Sequence, residues 1–172
     1  MDASIKAITS PLQIDRVFAA PLDQVWTAWS EKDQLAKWWG PKGCTLEVSF
    51  LEFRPGGLFH YAMRSGQASP MWGRFNYREV VPQQRIVWLN SFANENCGIV
   101  RAPFSDRWPL EIENSVVFAE RDGKTTMTLH AQPFGASPEE ISFFDQLCSS
   151  GSLKQGFGGT FDQLADHLRS IP

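Results

Sequence analysis

Imidazole is the commonest general base and metal ligand, so the three histidines, His60, His130 and His167, are the first candidates for chemistry. None lies three to five residues from another, or from Cys44, Cys97 or Cys148, so the spacing of a metal site is missing and no metal or other cofactor is expected. Cys148, Ser149 and Ser150 bring nucleophiles together without a G-x-S-x-G elbow, and they fall where a helix should break, a place for caps and turns. Glu111 and Glu113 share one face of a solvated strand. Glu139 and Glu140 fall in a helix first turn, where the macrodipole favours acids. Gly156-Phe157-Gly158-Gly159 follows no strand and is no dinucleotide loop. No catalytic residue is assigned. A catalytic role inside a cavity would have to draw on Asp145, His60 or Arg54.

The aromatic residues carry more information. Phe59, Tyr61, Phe75, Tyr77, Trp88 and Phe92 fall on alternating positions of consecutive strands, as one concave inner face requires, and Met63 shares the parity of Phe59 and Tyr61. Phe144, Phe157 and Phe161 are placed to close that face from helices. Rings at such spacing form plain core or the wall of an apolar pocket. Their number, with glycines 156, 158 and 159 in one helix, favours an incompletely filled interior. Asn90 and Asn114 either point to water or supply polar handles. Trp38 and Trp39, before Gly40-Pro41, are placed to anchor a short helix against the sheet.

These residues are positioned by a simple order of elements. Leu12–Ala19 reads as a strand. Pro21 occupies a first helical turn, and Leu22, Val25, Trp26 and Trp29 give one apolar helical face. Ser30 with Asp33 signals the start of a second short helix carrying Leu35, Trp38 and Trp39. Alternation begins at Thr45 and runs to Phe53, and Arg54-Pro55-Gly56-Gly57 turns the chain into a return strand. Further strands are expected at Trp72–Val81, Gln84–Ala93, Leu110–Arg121 and Lys124–Phe134, with Asn94–Pro109 a long loop. Ser137, Pro138 and Glu140 form a capping box, and Leu153 to Leu168 defines a final amphipathic helix. The class is α+β: an antiparallel curved sheet gripping a long C-terminal helix, with two short helices after the first strand.

Composition narrows the function. The 172 residues are 42% hydrophobic and 20% charged, as expected for one globular domain over 1–172 with a flexible extension at 1–10. A net charge of -3 offers no basic field for nucleic acid and no polybasic patch for a membrane. Three separated cysteines, with no signal peptide and no spanning segment, point to the reducing cytoplasm.

The chain resembles the START-like, or birch-pollen-allergen-like, helix-grip superfamily, and within it the homologues of the activator of the heat-shock-protein-90 ATPase. The resemblance rests on Phe18-Ala19-Ala20-Pro21 with Val25-Trp26 and Trp29, and on Leu35-Ala36-Lys37-Trp38-Trp39-Gly40-Pro41. Leu51-Glu52-Phe53-Arg54-Pro55-Gly56-Gly57, Tyr77-Arg78-Glu79-Val80-Val81-Pro82 with Arg85-Ile86-Val87, and Gly156-Phe157-Gly158-Gly159-Thr160-Phe161-Asp162-Gln163-Leu164 continue it in order. Phe157 stands where the family usually has tryptophan, and Asn94–Pro109 is richer in aromatics than the family loop. The resemblance implies a cavity between sheet and helix for a small hydrophobic or amphipathic ligand, with the helix pair that carries Trp38 and Trp39 closing one end. Cyclase- or aromatase-like catalysis and a chaperone-related or regulatory interaction module are the alternatives. The co-chaperone carries a separate chaperone-binding domain, and one START-like domain occupies this whole chain, so a chaperone partner is a possibility that the resemblance does not favour. Oligomeric state is not readable.

Overall fold

The computed structural model describes residues 12–172; the expected extension at 1–10 lies outside the described residues. Strand β1 (Leu12–Phe18) buries Leu12, Ile14 and Phe18 while Gln13 and Asp15 stay exposed, the period of a half-buried strand. Pro21 is the N-cap residue of helix α1 (Leu22–Ser30) rather than part of its first turn, and its carbonyl accepts the Gln24 and Val25 amides. Helix α2 (Lys32–Trp38) starts from Glu31 without a side-chain cap. The Ser30–Asp33 capping signal is therefore not used, because Ser30 closes α1 and its hydroxyl turns back to the Thr27 carbonyl.

Strands β2 (Thr45–Leu51), β3 (Leu58–Arg64), β4 (Met71–Val81), β5 (Arg85–Ala93), β6 (Ile99–Val100), β7 (Glu111–Arg121) and β8 (Lys124–Phe134) join β1 in one antiparallel sheet. The order is β1-β8-β7-β5-β4-β3-β2, with β6 paired to the end of β5. Two expectations need correction. β2 stops at Leu51 after a bulge between Val48 and Phe50, and Phe53 leaves the ladder to pack edge-on against Trp26 and Tyr77. The Asn94–Pro109 loop contains β6, a two-residue strand too short for any periodicity to announce. The Asn94 side chain accepts the Asn96 and Gly98 amides and folds the chain back onto β5.

Helix α3 (Pro138–Ser150) begins with the expected capping box: Ser137 and Glu140 each accept the other's backbone N–H. Such a cap stabilises a helix by about 1 kcal/mol. Gly151, at φ +85°, ends α3, and α4 (Ser152–Arg169) leaves in a new direction. The core lies between the inner sheet face and α1, α2 and α4. Trp29 is its hub, with Trp38 at 4.8 Å, Trp88 at 5.5 Å, Phe118 at 6.1 Å and Phe161 at 6.5 Å between ring centres. The helix therefore does not lie on the sheet directly along its whole length. Tryptophans from the two short helices wedge them apart.

Candidate functional site

The wedge fills only part of the interior. On the sheet, cross-strand register sets inward residues in rows: Met63 beside Met71, Tyr61 beside Gly73 and Phe92, Phe75 beside Asn90 and Ile112, Tyr77 beside Trp88 and Asn114. The Tyr77–Trp88 end is solidly packed. At the Met63–Met71 end the sheet and α4 part around a cleft of about 400 Å³. Its sheet wall is Tyr61, Met63, Met71, Gly73, Asn90 and Phe92. Leu153, Gly156, Phe157 and Thr160 face it from α4, and Phe104, Trp108 and Trp39 close its ends.

Three local devices hold this geometry. Gly40, at φ +107°, lets the chain turn straight after Trp39, a conformation that side chains other than glycine rarely adopt. The Gly40 carbonyl then accepts the Thr160 hydroxyl at 3.0 Å and the Gln163 amide at 2.7 Å, which ties α4 to the cleft rim. On the opposite rim, Arg101 donates to Glu140 and to the Trp108 carbonyl. Trp108 packs on Phe144 at 5.6 Å and on Phe104 at 5.8 Å. The Ser137 backbone N–H, with help from Arg101, holds the Glu140 carboxyl below its ordinary range.

The candidate lining residues singled out from the sequence divide into two sets. Trp39, Tyr61, Met63, Asn90, Phe92 and Phe157 reach the cleft. Trp38, Phe59, Phe75, Tyr77, Trp88, Phe144 and Phe161 are each 2% exposed or less and form the packed core behind it. The two tryptophans of the pair take one role each. Trp38 anchors α2, with its indole N–H donating to the Ala28 carbonyl at 2.9 Å, while half-buried Trp39 lies edge-on against Phe75 at 5.0 Å and turns its other side to the cleft. Asn90 and Asn114 both point inward. Asn90 reaches the cleft, and Asn114 is buried beneath it with its amide donating weakly to the Ile112 carbonyl.

Spacing did not single out Met71, Gly73, Ile112, Leu153 or Thr160 as lining residues. The aromatic richness of the Asn94–Pro109 loop was the visible trace of Phe104 and Trp108. Gly73 carried no signal at all, since its importance lies in what its strand partner does.

Among the described residues no charged side chain lines the cleft, and no group of three histidine, cysteine or acidic side chains is placed to hold a metal. His60 lies on the other sheet face, stacked on Trp72 at 4.8 Å and bonded to the Asn94 carbonyl at 3.0 Å. Asp145 and Arg54 also lie outside the cleft lining. Among the described lining residues Tyr61 is the one titratable group besides the weakly acidic alcohols. Burial pushes the Tyr61 phenol up, against the opposing effect of hydrogen bonds from Trp39 and Asn90, so it carries its proton at neutral pH.

A curved antiparallel sheet around a long C-terminal helix, with two short helices after the first strand, defines a helix-grip protein. The family model for Activator of Hsp90 ATPase homolog 1-like proteins matches residues 19–169, and the chain belongs to that family. Solved structures agree. A Mycobacterium smegmatis protein superposes with a TM-score of 0.72 at 25% identity, covering 93% of this chain and 91% of its own. An Arthrobacter aurescens protein gives 0.73 at 22% identity, covering 95% and 93%. One from Nitrosomonas europaea gives 0.70 at 22% identity, covering 98% and 97%. No curated protein matches the chain.

Proposed function

We propose that this protein binds a small hydrophobic or amphipathic molecule in the cleft between the sheet and α4. The observation that carries the reading is the cleft itself: about 400 Å³, walled by rings, methionines and aliphatics, with few polar groups and no charge. Apolar clefts of several hundred cubic ångströms with a few placed polar groups are the usual form of small-molecule sites. The cyclase-like chemistry of some relatives in the superfamily would need an acid or base beside the ligand, and neither a carboxylate nor a histidine is among the described lining residues. Binding is therefore preferred to catalysis. The three free cysteines support a reducing compartment, the cytoplasm, for this role.

Native mass spectrometry of freshly purified protein, with titration of the uncharged fluorophore N-phenyl-1-naphthylamine, tests the proposal. A co-purified small molecule, or saturable fluorophore binding that Gly156→Leu abolishes without unfolding the protein, is the expected result. Ligand-free protein that takes up no fluorophore would refute it.

A further inference from the structure

Resting on that reading, the polar groups of the cleft define what its ligand carries. Tyr61 and Asn90 stand together in an otherwise apolar wall. The Asn90 amide nitrogen gives one hydrogen to the Arg74 carbonyl at 3.1 Å and the other to the Tyr61 hydroxyl oxygen at 3.4 Å. The Tyr61 oxygen thus serves Asn90 as an acceptor. The phenol proton has no acceptor among the described residues, and neither does the Asn90 carbonyl oxygen a donor. Tyr61 and Asn90 both line the cleft. Of the other hydroxyls there, that of Thr160 donates to the Gly40 carbonyl, that of Ser152 pairs with Ser150, and Ser91, between inward-facing Asn90 and Phe92, has the parity of the other sheet face.

We infer that the cleft selects an uncharged apolar molecule bearing a hydroxyl group, which accepts a hydrogen bond from Tyr61 and donates one to the Asn90 carbonyl oxygen. A carboxylate would accept from Tyr61 but set its charge against the Asn90 oxygen, with no cation among the described lining residues to balance it. An ammonium could donate to the Asn90 oxygen, but it leaves the phenol proton without an acceptor and meets no opposite charge among the described lining residues. A hydroxyl, donor and acceptor at once, satisfies both open groups.

Calorimetric titration of the protein and its Tyr61→Phe variant with 1-octanol, octanoate, octylammonium and octane at neutral pH tests this. Wild-type protein should bind octanol at least about tenfold more tightly than either ion, because a buried unpaired charge costs more than a hydrogen bond returns. Tyr61→Phe should weaken octanol by about 3- to 10-fold, the range of one neutral hydrogen bond. Octane affinity should not change, which also shows that the variant folds. Octanoate or octylammonium binding as tightly as octanol, or Tyr61→Phe leaving octanol unaffected while octane binds, overturns the head-group inference alone. Failure of all four to bind overturns the ligand-binding reading with it.

Discussion

The Tyr61 ring lies across Gly73, its partner on the neighbouring strand, so closely that a Cβ there would sit 2.6 Å from the phenol carbon and oxygen. Tyr61 is held from behind by Phe59 at 4.7 Å between ring centres. The missing methyl of Gly73 is what allows the ring to lie flat on the sheet and leave the cleft open.

Gly73→Ala should therefore drive the Tyr61 ring off the sheet. Overpacking of this kind costs about 1–3 kcal/mol, where alanine in a strand would otherwise improve on glycine by about 0.5–1 kcal/mol. The expected signature is a double-mutant cycle in chemical denaturation. Gly73→Ala destabilises the wild type but becomes neutral or stabilising once Tyr61 is replaced by serine. Equal cost in both backgrounds would refute the arrangement.

The glycines of α4 behave differently. A Cβ added at Gly156 or Gly158 meets nothing within 4 Å, so neither glycine serves close packing against another element. Alanine at either position should stabilise the helix by about 1 kcal/mol, a rise in Tm of about 2–4 °C for a chain of this size. Gly156 lines the cleft. Gly156→Leu should keep the fold and lose fluorophore binding, with melting and titration run on the same samples.

Phe104 offers the opposite contrast. It is 60% exposed at the cleft rim, where it meets Phe92 and Trp108 edge to face or tilted. Phe104→Ser should alter stability by no more than about 0.5 kcal/mol, as for other exposed positions, yet reduce affinity for an apolar probe several-fold. An unchanged affinity would remove Phe104 from the binding surface.

His167 gives a pH dependence. Burial, and then the nearby Lys37, hold its imidazole below the ordinary histidine value, while it bonds to Gln34 across α2 and α4. The unfolded chain takes up the proton more readily than the folded one. Its contribution is complete above the unfolded pKa of about 6.5 and is lost as pH falls through the lower folded value. Denaturation measured at pH 7.5 and at pH 5 should show a decline that His167→Gln reduces. An equal decline in the variant would contradict this.

Much of the fold could be read from the sequence because it rests on local rules. Alternation at Phe59, Tyr61 and Met63 marks the inner face of β3 whatever lies above it. Ser137, Pro138 and Glu140 satisfy the first amides of α3 without help from elsewhere. The Ser30 signal failed because the same residue can end one helix or start the next, and the backbone of α1 takes it. β6 was missed because its pairing with β5 is imposed by the Asn94 turn, and two residues carry no period.

The residues themselves determined which face of each strand looks inward, because side-chain alternation is a property of the backbone. Depth along that face was decided only by the tertiary structure. Phe75 and Asn90 are neighbours in register, yet Trp39 lies over Phe75 and leaves Asn90 in the cleft. The tryptophans that do the covering come from α1 and α2, and the opposite wall comes from α4, more than a hundred residues further on. Whether a ring is core or wall depends on which distant element fills the space above it. Gly73 makes the same point: the cleft opens where a side chain is absent, and only Tyr61, folded across from β3, gives that absence a meaning.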